Sequence, residues 1–577
     1  MQNAALRKIA CHFPVAEDLK KYKKEYVKND VVAALTVAVV AIPQSMAYAL
    51  IAGVDPVYGL YTAIVSTIIS SLFGSSSHLI AGPTNAIALL VASSMKNFVG
   101  ADDFYEMLFL MTFVVGVLQI LMGIMRLGKM INYVSHSVIV GFTAGAGVLI
   151  AFGQLNQLLG ISFGNSYMTP IEKLYKVILS IGKTNIYSLA LGILTIAIII
   201  IGRKFSRYFP GALTGLIAAM ALTLLFSLDK QGVKLVGDIP ASLPPFKMLR
   251  LNVSSIRAVF SGAVPIAIIG LVEAISISKA IAVSSRQKLD YNQEFIGQGI
   301  ANAVSSFFQC FAGSGSFTRS AINYYSGAAT RLAGVGSGVL IAVILLFFAP
   351  YAKYIPQPSL AGVIMVTAYN MVNKKEMRKV SKVGKSDSIV MWTTFGATVL
   401  MPDLDWAIYM GIAISIILYL KDTNTVPVKI LVPCDGSSGS FSEKEVWNIR
   451  EKLDILIVQL EGHLYFGSAH DLEAKLSSLK GKAKVFILRM KTVSTIDVTA
   501  VDALRAFIRQ EKEAGNRVVI CGVSTGLTSI ILNSGLAEEV GRDNIFISES
   551  EIFASSRKAL ERAKKILECF TLPPCSK

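Results

Sequence analysis

Long stretches of this sequence contain no Asp, Glu, Lys or Arg, among them Val31–Val54, Pro56–Met95, Met107–Met125, Met130–Ile171, Thr184–Gly202, Tyr208–Leu228 and Leu332–Ala352. A helix needs about 20 apolar residues to cross a bilayer, so each stretch can hold at least one crossing, and the two longest can each hold two. Of all 577 residues, 53% are hydrophobic and only 16% are charged. This composition is typical of a membrane protein, and the chain must fold largely within a lipid bilayer.

The apolar pattern predicts about fourteen spans, with starts near residues 31, 54, 78, 105, 132, 186, 208, 258, 293, 314, 332, 357, 386 and 404. Alternate loops are basic, as at 374–385, whereas the loops 101–106 and 401–405 are acidic. Because Lys and Arg gather on the cytoplasmic side, we expect a multi-pass protein of the cell membrane with both termini in the cytoplasm. Residues 1–30 are polar and Lys-rich, which is not the pattern of a cleaved signal peptide.

The composition changes after Lys421, where short apolar runs alternate with charged helical patterns. Runs at 453–460, 483–490 and 516–523 predict buried strands, and segments 469–480, 498–514, 525–535 and 549–567 predict helices. Strands that alternate with helices predict a small βαβ sheet. The sequence therefore predicts a cytoplasmic segment at 1–30, a membrane domain at 31–421 and a cytoplasmic α/β domain at 422–577, with a flexible loop at 433–445.

Arg319 lies directly after Phe295–Thr318, a run of 24 residues without charge. An arginine at membrane depth is costly unless it faces a cavity or a partner. The glycines and serines at 313–316 predict an extended chain, with a helix beginning near Phe317 or Thr318. Such a break is tolerated where it borders a protein cavity, and a helix that starts there points its free N–H groups into it. The arrangement favours a negatively charged ligand.

A second break is expected at Gly82-Pro83, with a half-helix starting near Thr84. On the predicted count it lies in the third span and Arg319 in the tenth, seven spans apart. A repeat of seven plus seven spans of inverted topology has this offset, and its two half-helices would bring their amino ends together at the midplane.

Glu273 lies within the apolar segment 263–283. A carboxylate there should be protonated or paired with a cation, and both Arg319 and Lys279 are candidates. A carboxyl whose partner is drawn away by an anion could couple proton binding to anion binding, whereas a fixed ion pair would have only a structural role. In the first span, Gln44 and Tyr48 are four residues apart and share a helix face, so both can reach a cavity.

Several chemistries are disfavoured. The net charge of +17 is spread over short loops and not gathered on one face, so we expect no nucleic-acid partner. The six cysteines lack metal-ligand spacing and are expected to be free thiols, so no metal or other cofactor is predicted. The five histidines are scattered, which does not favour an enzyme, and no GxxxxGK[ST] loop for ATP is present.

Four long strings carry a family resemblance: "PQSMAYALIAGVDPVYGLYTA" at 43–63, "GSSSHLIAGPTNA" at 74–86, residues 292–323 around "AGSGSFTRSAIN", and "VSTIDVTAVDAL" at 493–504. In this order they resemble the SulP sulfate-permease family of anion transporters, including its carboxy-terminal STAS domain. The resemblance implies an α-helical membrane domain of seven plus seven inverted spans, with half-helices in spans 3 and 10. It also implies a division into core and gate, an elevator-type displacement of the core, and a homodimer.

Matched by motif position, the resemblance implies an anion site formed by Gln44, Tyr48, Thr84, Phe317, Thr318 and Arg319. Glu273 matches the acidic residue of proton-coupled members, so we expect a secondary active symporter of protons and an inorganic anion, with sulfate favoured. Bicarbonate, chloride and C4-dicarboxylates are alternative cargoes within the family, by symport or exchange. An anion channel is an alternative from another class, and a nucleobase carrier is disfavoured by Arg319.

The STAS segment departs from the anti-sigma antagonist pattern, in which a serine commonly follows the aspartate before the second helix. Here Val498 and then Thr499 follow Asp497. The departure does not favour a phosphorylation switch, although Thr499 could accept phosphate at the start of that helix. A domain that regulates through its contacts is the more ordinary alternative.

Overall fold

The computed structural model of this protein describes residues 14–20, 22–128, 135–163, 170–205, 210–401, 403–433, 441–445, 453–549, 551 and 554–571. The chain divides into two compact units, Met1–Ser415 and Ile416–Lys577. A domain boundary at residue 421 remains a prediction.

The described residues up to Thr423 form two short strands and a succession of helices. The strands are β1 (Ala81–Gly82) and β2 (Ser314–Gly315). The helices are α1 (Val15–Lys20), α2 (Lys24–Ala52), α3 (Pro56–Phe73), α4 (Asn85–Ser94), α5 (Phe104–Ile124), α6 (His136–Leu158), α7 (Pro170–Leu179), α8 (Ile186–Phe205), α9 (Gly211–Leu225), α10 (Val253–Ser285), α11 (Tyr291–Phe307), α12 (Phe317–Tyr325), α13 (Leu332–Ala352), α14 (Gln357–Met371), α15 (Lys374–Val383), α16 (Lys385–Leu400) and α17 (Leu404–Thr423).

Seven of the described helices are long and apolar enough to cross a membrane by length and composition, namely α2, α3, α5, α6, α10, α13 and α17. Shorter helices occupy the other seven predicted spans, namely α4, α8, α9, α11, α12, α14 and α16. Each of the fourteen predicted starts falls within seven residues of the first residue of a helix. At 1.5 Å per residue, α4 and α12 reach only about half of a bilayer core, as predicted for half-helices.

The membrane helices pack in two groups. Helix α11 packs on α3 and α5, and α13 packs on α2 and α3, whereas α14 packs on α6 and α8, and α16 packs on α6. The contact of α5 with α11 depends on two glycines, because a Cβ on Gly116 would lie 2.4 Å from the Ala303 nitrogen and one on Gly299 would lie 2.6 Å from the Ile120 nitrogen. Small residues that let two backbones approach are typical of helix contacts in membranes. We call the first group, which contains α2, the core group and the second the gate group; the half-helices α4 and α12 both pack on α2.

The residues before the first long apolar stretch form an ion pair and hydrogen bonds with the loop between α12 and α13. Asp18 forms an ion pair with Arg331, with 2.7 Å between Oδ2 and Nη1. Asp30 is buried and its Oδ1 accepts hydrogen bonds from the backbone nitrogens of Ala329 (2.7 Å) and Thr330 (3.1 Å). Its Oδ2 accepts a third bond, of 2.6 Å, from the Thr330 hydroxyl. Helix α2 accordingly begins at Lys24, seven residues before the predicted start of the span.

The second unit is built around a six-stranded sheet. Its described strands are β3 (Val428–Pro433), β4 (Phe441–Glu445), β5 (Leu453–Leu464), β6 (Ala483–Ile496), β7 (Arg517–Val523) and β8 (Ile545–Ile547), in the order β4-β3-β5-β6-β7-β8. Strand β3 pairs antiparallel with β4 and β5, while β5 to β8 are parallel. The helices are α18 (Phe466–Ser477), α19 (Val498–Glu513), α20 (Thr525–Asn533), α21 (Leu536–Val540) and α22 (Ala554–Thr571).

The βαβ prediction for this unit is confirmed, and the three predicted strands correspond to β5, β6 and β7, with the third predicted to begin one residue before β7. The predicted loop at 433–445 was wrong for Pro433, which ends β3, and for residues 441–445, which form β4, while residues 434–440 lie outside the described residues. Strand β4 lies at the edge of the sheet, where charged side chains are common. Because its sequence is rich in charge, it was predicted to be a loop.

Cysteine chemistry is limited by burial in both units. Cys310 and Cys521 are free and buried. Burial raises the pKa of Cys521 to about 11, so its thiol is protonated at neutral pH and is a poor nucleophile. Cys11, Cys434 and Cys575, and the side chain of Cys569, lie outside the described part of the chain.

Candidate functional site

The two short strands bring the beginnings of the half-helices together. Strand β1 pairs antiparallel with β2, with Ala81 opposite Gly315 and Gly82 opposite Ser314. Since α4 follows β1 and α12 follows β2, the two helices leave the pairing in opposite directions with their amino ends beside it. The helix starts at Asn85 and Phe317 agree with the predicted breaks. Free N–H groups and positive dipole ends from two helices thus converge on one place.

Buried side chains hold these two extended segments. The Thr67 hydroxyl donates to the Ala81 carbonyl (2.6 Å), and the Ser320 hydroxyl accepts from the Ile80 nitrogen (2.8 Å). Asn302 bonds to both backbone groups of Gly313, accepting at 2.9 Å and donating at 3.1 Å. With their backbone groups paired, the extended segments can exist inside an apolar domain.

Arg319 lies in the first turn of α12 and is completely buried. Its Nη2 donates to the Pro83 carbonyl at 2.7 Å, so the side chain reaches across to the start of the other half-helix. Among the described residues, Nε and Nη1 have no hydrogen-bond partner, and no carboxylate lies within 4 Å of the guanidinium. A buried cation with unused donors is costly unless an anion joins it.

Glu273 lies on α10, and its Oε2 accepts a 3.2 Å hydrogen bond from the Thr84 hydroxyl. Among the described residues, neither Arg319 nor Lys279 lies within ion-pair distance of Glu273. The fixed ion pair considered from the sequence is therefore absent. The carboxyl is instead linked to the residue that directly precedes α4, at the predicted anion site.

The remaining predicted site residues occupy three kinds of position. Tyr48 is buried and lies close enough to Arg319 to interact with it electrostatically. Gln44 and Thr318 line a cavity of about 100 Å³, and Oε1 of Gln44 is buried with no hydrogen-bond partner in the part of the chain that the structure describes. Phe317 differs from both, because 61% of its side chain is exposed. Thr84, Glu273, Tyr48 and Arg319 thus form one cluster, with Gln44 and Thr318 at an adjoining cavity.

Two family models cover most of the chain. Residues 27–394 match the sulfate permease family, and residues 446–559 match the STAS domain. The chain belongs to the sulfate permease family. Its members are membrane transporters, so this protein is a membrane transporter and not an enzyme.

Relatives in bacteria and plants match the sulfate permease chain over nearly its whole length. YvdB of Bacillus subtilis (strain 168), which carries the name of a sulfate transporter, is 30% identical over 539 residues, 92% of this chain and 98% of that protein. Sulfate transporter 4.1, chloroplastic, of Arabidopsis thaliana is 29% identical over 560 residues, covering 93% and 81% respectively.

Solved structures share the fold of this sulfate permease. The murine Solute Carrier 26 family member A9 anion transporter, in its inward-facing state, aligns with a TM-score of 0.87 at 20% identity, over 97% of this chain and 95% of that chain. The transmembrane domain of a cyanobacterium bicarbonate transporter, BicA, aligns with a TM-score of 0.61 at 24% identity, over 66% and 98%. The helical transporter fold with a carboxy-terminal STAS domain is therefore confirmed.

Sequence reasoning on this sulfate permease missed the residues that support the site. Asn302 also donates at 2.9 Å to Gln119, whose amide donates in turn to the Ala267 carbonyl at 3.3 Å. Both are amides within apolar helices, and that is the signal that could have found them. Thr67 and Ser320 gave no such signal, because hydroxyl residues are common in membrane helices.

Gly82 is the residue that makes room for the guanidinium. Its φ is +142°, and a Cβ built on it would lie 2.8 Å from Nη1 and 3.1 Å from Nη2 of Arg319. We expect Gly82→Ala to displace the guanidinium and to weaken anion binding about tenfold or more, measured by titration of purified protein. Gly396→Ala is the control, because a Cβ at Gly396 meets nothing within 4 Å. Equal anion affinity in both variants would contradict this role.

Proposed function

We propose that this protein is a secondary active anion transporter that carries sulfate together with protons. One observation carries the proposal: the fully buried Arg319, with two donor nitrogens unpaired, lies where two half-helices begin. A guanidinium and two helix amino ends all favour negative charge, and charge-assisted hydrogen bonds are among the stronger ones. A neutral ring such as a nucleobase would leave the guanidinium uncompensated, which disfavours that cargo.

Sulfate is favoured among the anions because the relatives that cover nearly the whole chain, YvdB and Sulfate transporter 4.1, are named as sulfate transporters. In this proposal Arg319, Thr84 and the amino ends of α4 and α12 bind the anion. Tyr48 borders one side of the anion site, while Gln44, Phe317 and Thr318 lie along the path of the anion from this site to the adjoining cavity. Bicarbonate, chloride and C4-dicarboxylates are the other cargoes to test, by symport or exchange.

Glu273 is proposed to carry the coupling proton. Its carboxyl bonds to the Thr84 hydroxyl and not to a cation, so a proton can be gained or lost without breaking an ion pair. A bound anion at Thr84 and Arg319 would favour the protonated form of Glu273 by charge repulsion. Proton and anion would therefore bind together and be released together, which is the requirement for symport.

The proposed movement is an elevator-type displacement of the core group of helices, which contains both half-helices, against the gate group. We further propose a homodimer in the cell membrane with both termini in the cytoplasm. Phosphorylation of Thr499, which is exposed in the first turn of α19, is the proposed regulatory modification.

The proposed function is tested by uptake of labelled sulfate into proteoliposomes with an inside pH of about 7.5 and an outside pH of about 5.5 or 7.5. The two-unit difference supplies about 2.7 kcal/mol per proton, so symport should accumulate sulfate above the outside concentration. An anion channel would instead equilibrate sulfate according to voltage, without moving protons. No sulfate uptake under either condition would refute the sulfate cargo, and the same vesicles would then be tested with the other three anions.

A further inference from the structure

A second and larger cavity, of about 530 Å³, lies further along α2 than the cavity at Gln44. It begins at Leu50, two residues beyond Tyr48, and is also bordered by residues of α4, α6, α7 and α17. It lies toward the acidic loops 101–106 and 401–405, since Met95, Phe104 and Met401 are among its lining residues. The described lining is apolar except for Ser93, Gln154, Glu172 and Lys173.

Lys173 is the cation of this cavity. It is half-buried, and no described carboxylate lies within 4 Å of its ammonium group, whereas Lys96 nearby is paired with Asp403. Burial in these apolar surroundings lowers the pKa of Lys173. Glu172 borders the same cavity, and its side chain also takes part in an interaction with another group.

Gln154 is a second polar residue at this cavity. The side chain is only 6% exposed, and its Oε1 has no hydrogen-bond partner among the described residues. A buried amide with one end unpaired costs about 1–3 kcal/mol, so it should gain a polar ligand when one enters. Its NH2 group can donate to an anion, and its oxygen can accept from water that the anion brings.

We propose that Lys173 and Gln154 form a second anion site, where small inorganic anions are held before entering or after leaving the cluster at Arg319. The proposal rests on the proposed function of the protein as an anion transporter. Acidic side chains on this face, including Asp102, Asp103 and Asp405, repel anions, and an uncompensated lysine inside the cavity offsets that repulsion. This second site affects the affinity for anions that enter from the face with the acidic loops, and not for anions that enter from the opposite face.

The test compares the two faces of the membrane. Sulfate uptake is measured with intact cells that express the full chain, which present the acidic-loop face outward, and with inside-out vesicles from the same cells. We expect Lys173→Gln to raise the half-saturating sulfate concentration about tenfold in cells and to leave it unchanged in vesicles. Lys173→Arg should keep the wild-type value, and Lys176→Gln is the matched control, because Lys176 is exposed on the same helix and does not border the cavity.

Four results would overturn the second site: no change in cells, an equal change on both faces, a change in vesicles alone, or the same change in Lys176→Gln. Gln154→Leu provides an independent variant and should raise the half-saturating concentration about threefold in cells. If the wild type transports no sulfate, the comparison is made with chloride or bicarbonate. Transport of none of these anions would refute the proposed function itself, which distinguishes that failure from a failure of Lys173.

Discussion

Arg319→Met is expected to reduce sulfate uptake below about 1% of the wild-type rate, because it removes the cation that offers unpaired donors to the cargo. The protein should still fold, since methionine fills much of the same space and a buried, uncompensated charge is not a source of stability. Uptake into proteoliposomes measures the first effect.

The fold of the Arg319 variant is checked by thermal unfolding with and without sulfate. Sulfate at about 100 times its dissociation constant should stabilise the wild type by about 2.7 kcal/mol and leave Arg319→Met unchanged. Arg257→Met is the control, because Arg257 is exposed on α10. Sulfate-dependent stabilisation that persisted in Arg319→Met would show that the anion binds elsewhere.

Glu273→Gln is expected to separate sulfate movement from the proton gradient. A glutamine can still accept the hydrogen bond from Thr84, so sulfate binding should remain measurable, but it cannot gain or lose a proton. Uptake at an outside pH of about 5.5 should then equal uptake at about 7.5, and accumulation against a sulfate gradient should disappear. Both are measured with labelled sulfate while a dye inside the vesicles reports the pH.

Asp229→Asn serves as the control for Glu273→Gln, because it neutralises an exposed carboxylate outside the membrane helices. It should retain acid-stimulated uptake. Acid-stimulated accumulation in Glu273→Gln would assign the proton to another group and would leave the anion site at Arg319 intact.

The breaks before the two half-helices could be predicted because their signals are local. Gly82-Pro83 and the glycines and serines at 313–316 disfavour a continuous helix by themselves, and the structure places the helix starts within one residue of Thr84 and at Phe317. The burial of Arg319 followed from the uncharged run before it. Local chemistry was sufficient for each of these features.

The sequence predicted that the two breaks meet, but it did not predict which side chains pair there, because these pairs join residues far apart in the chain. Arg319 and Pro83 are 236 residues apart, and Thr84 and Glu273 are 189 apart. Reasoning from charge suggested Arg319 or Lys279 as the partner of Glu273, whereas packing places a hydroxyl there. Which group lies beside Glu273 depends on how α4 and α10 are positioned, and the hydropathy pattern does not specify that geometry.

The bonds from Asp18 and Asp30 to residues 329–331 have a consequence for how the protein is produced. Residues before 31 contain none of the apolar stretches and would be natural to remove in a shortened expression form. Such a form would leave the Arg331 side chain without its carboxylate and two backbone nitrogens without their acceptor, directly after the half-helix that carries Arg319. Shortened forms of the protein should therefore keep Asp18 and Asp30.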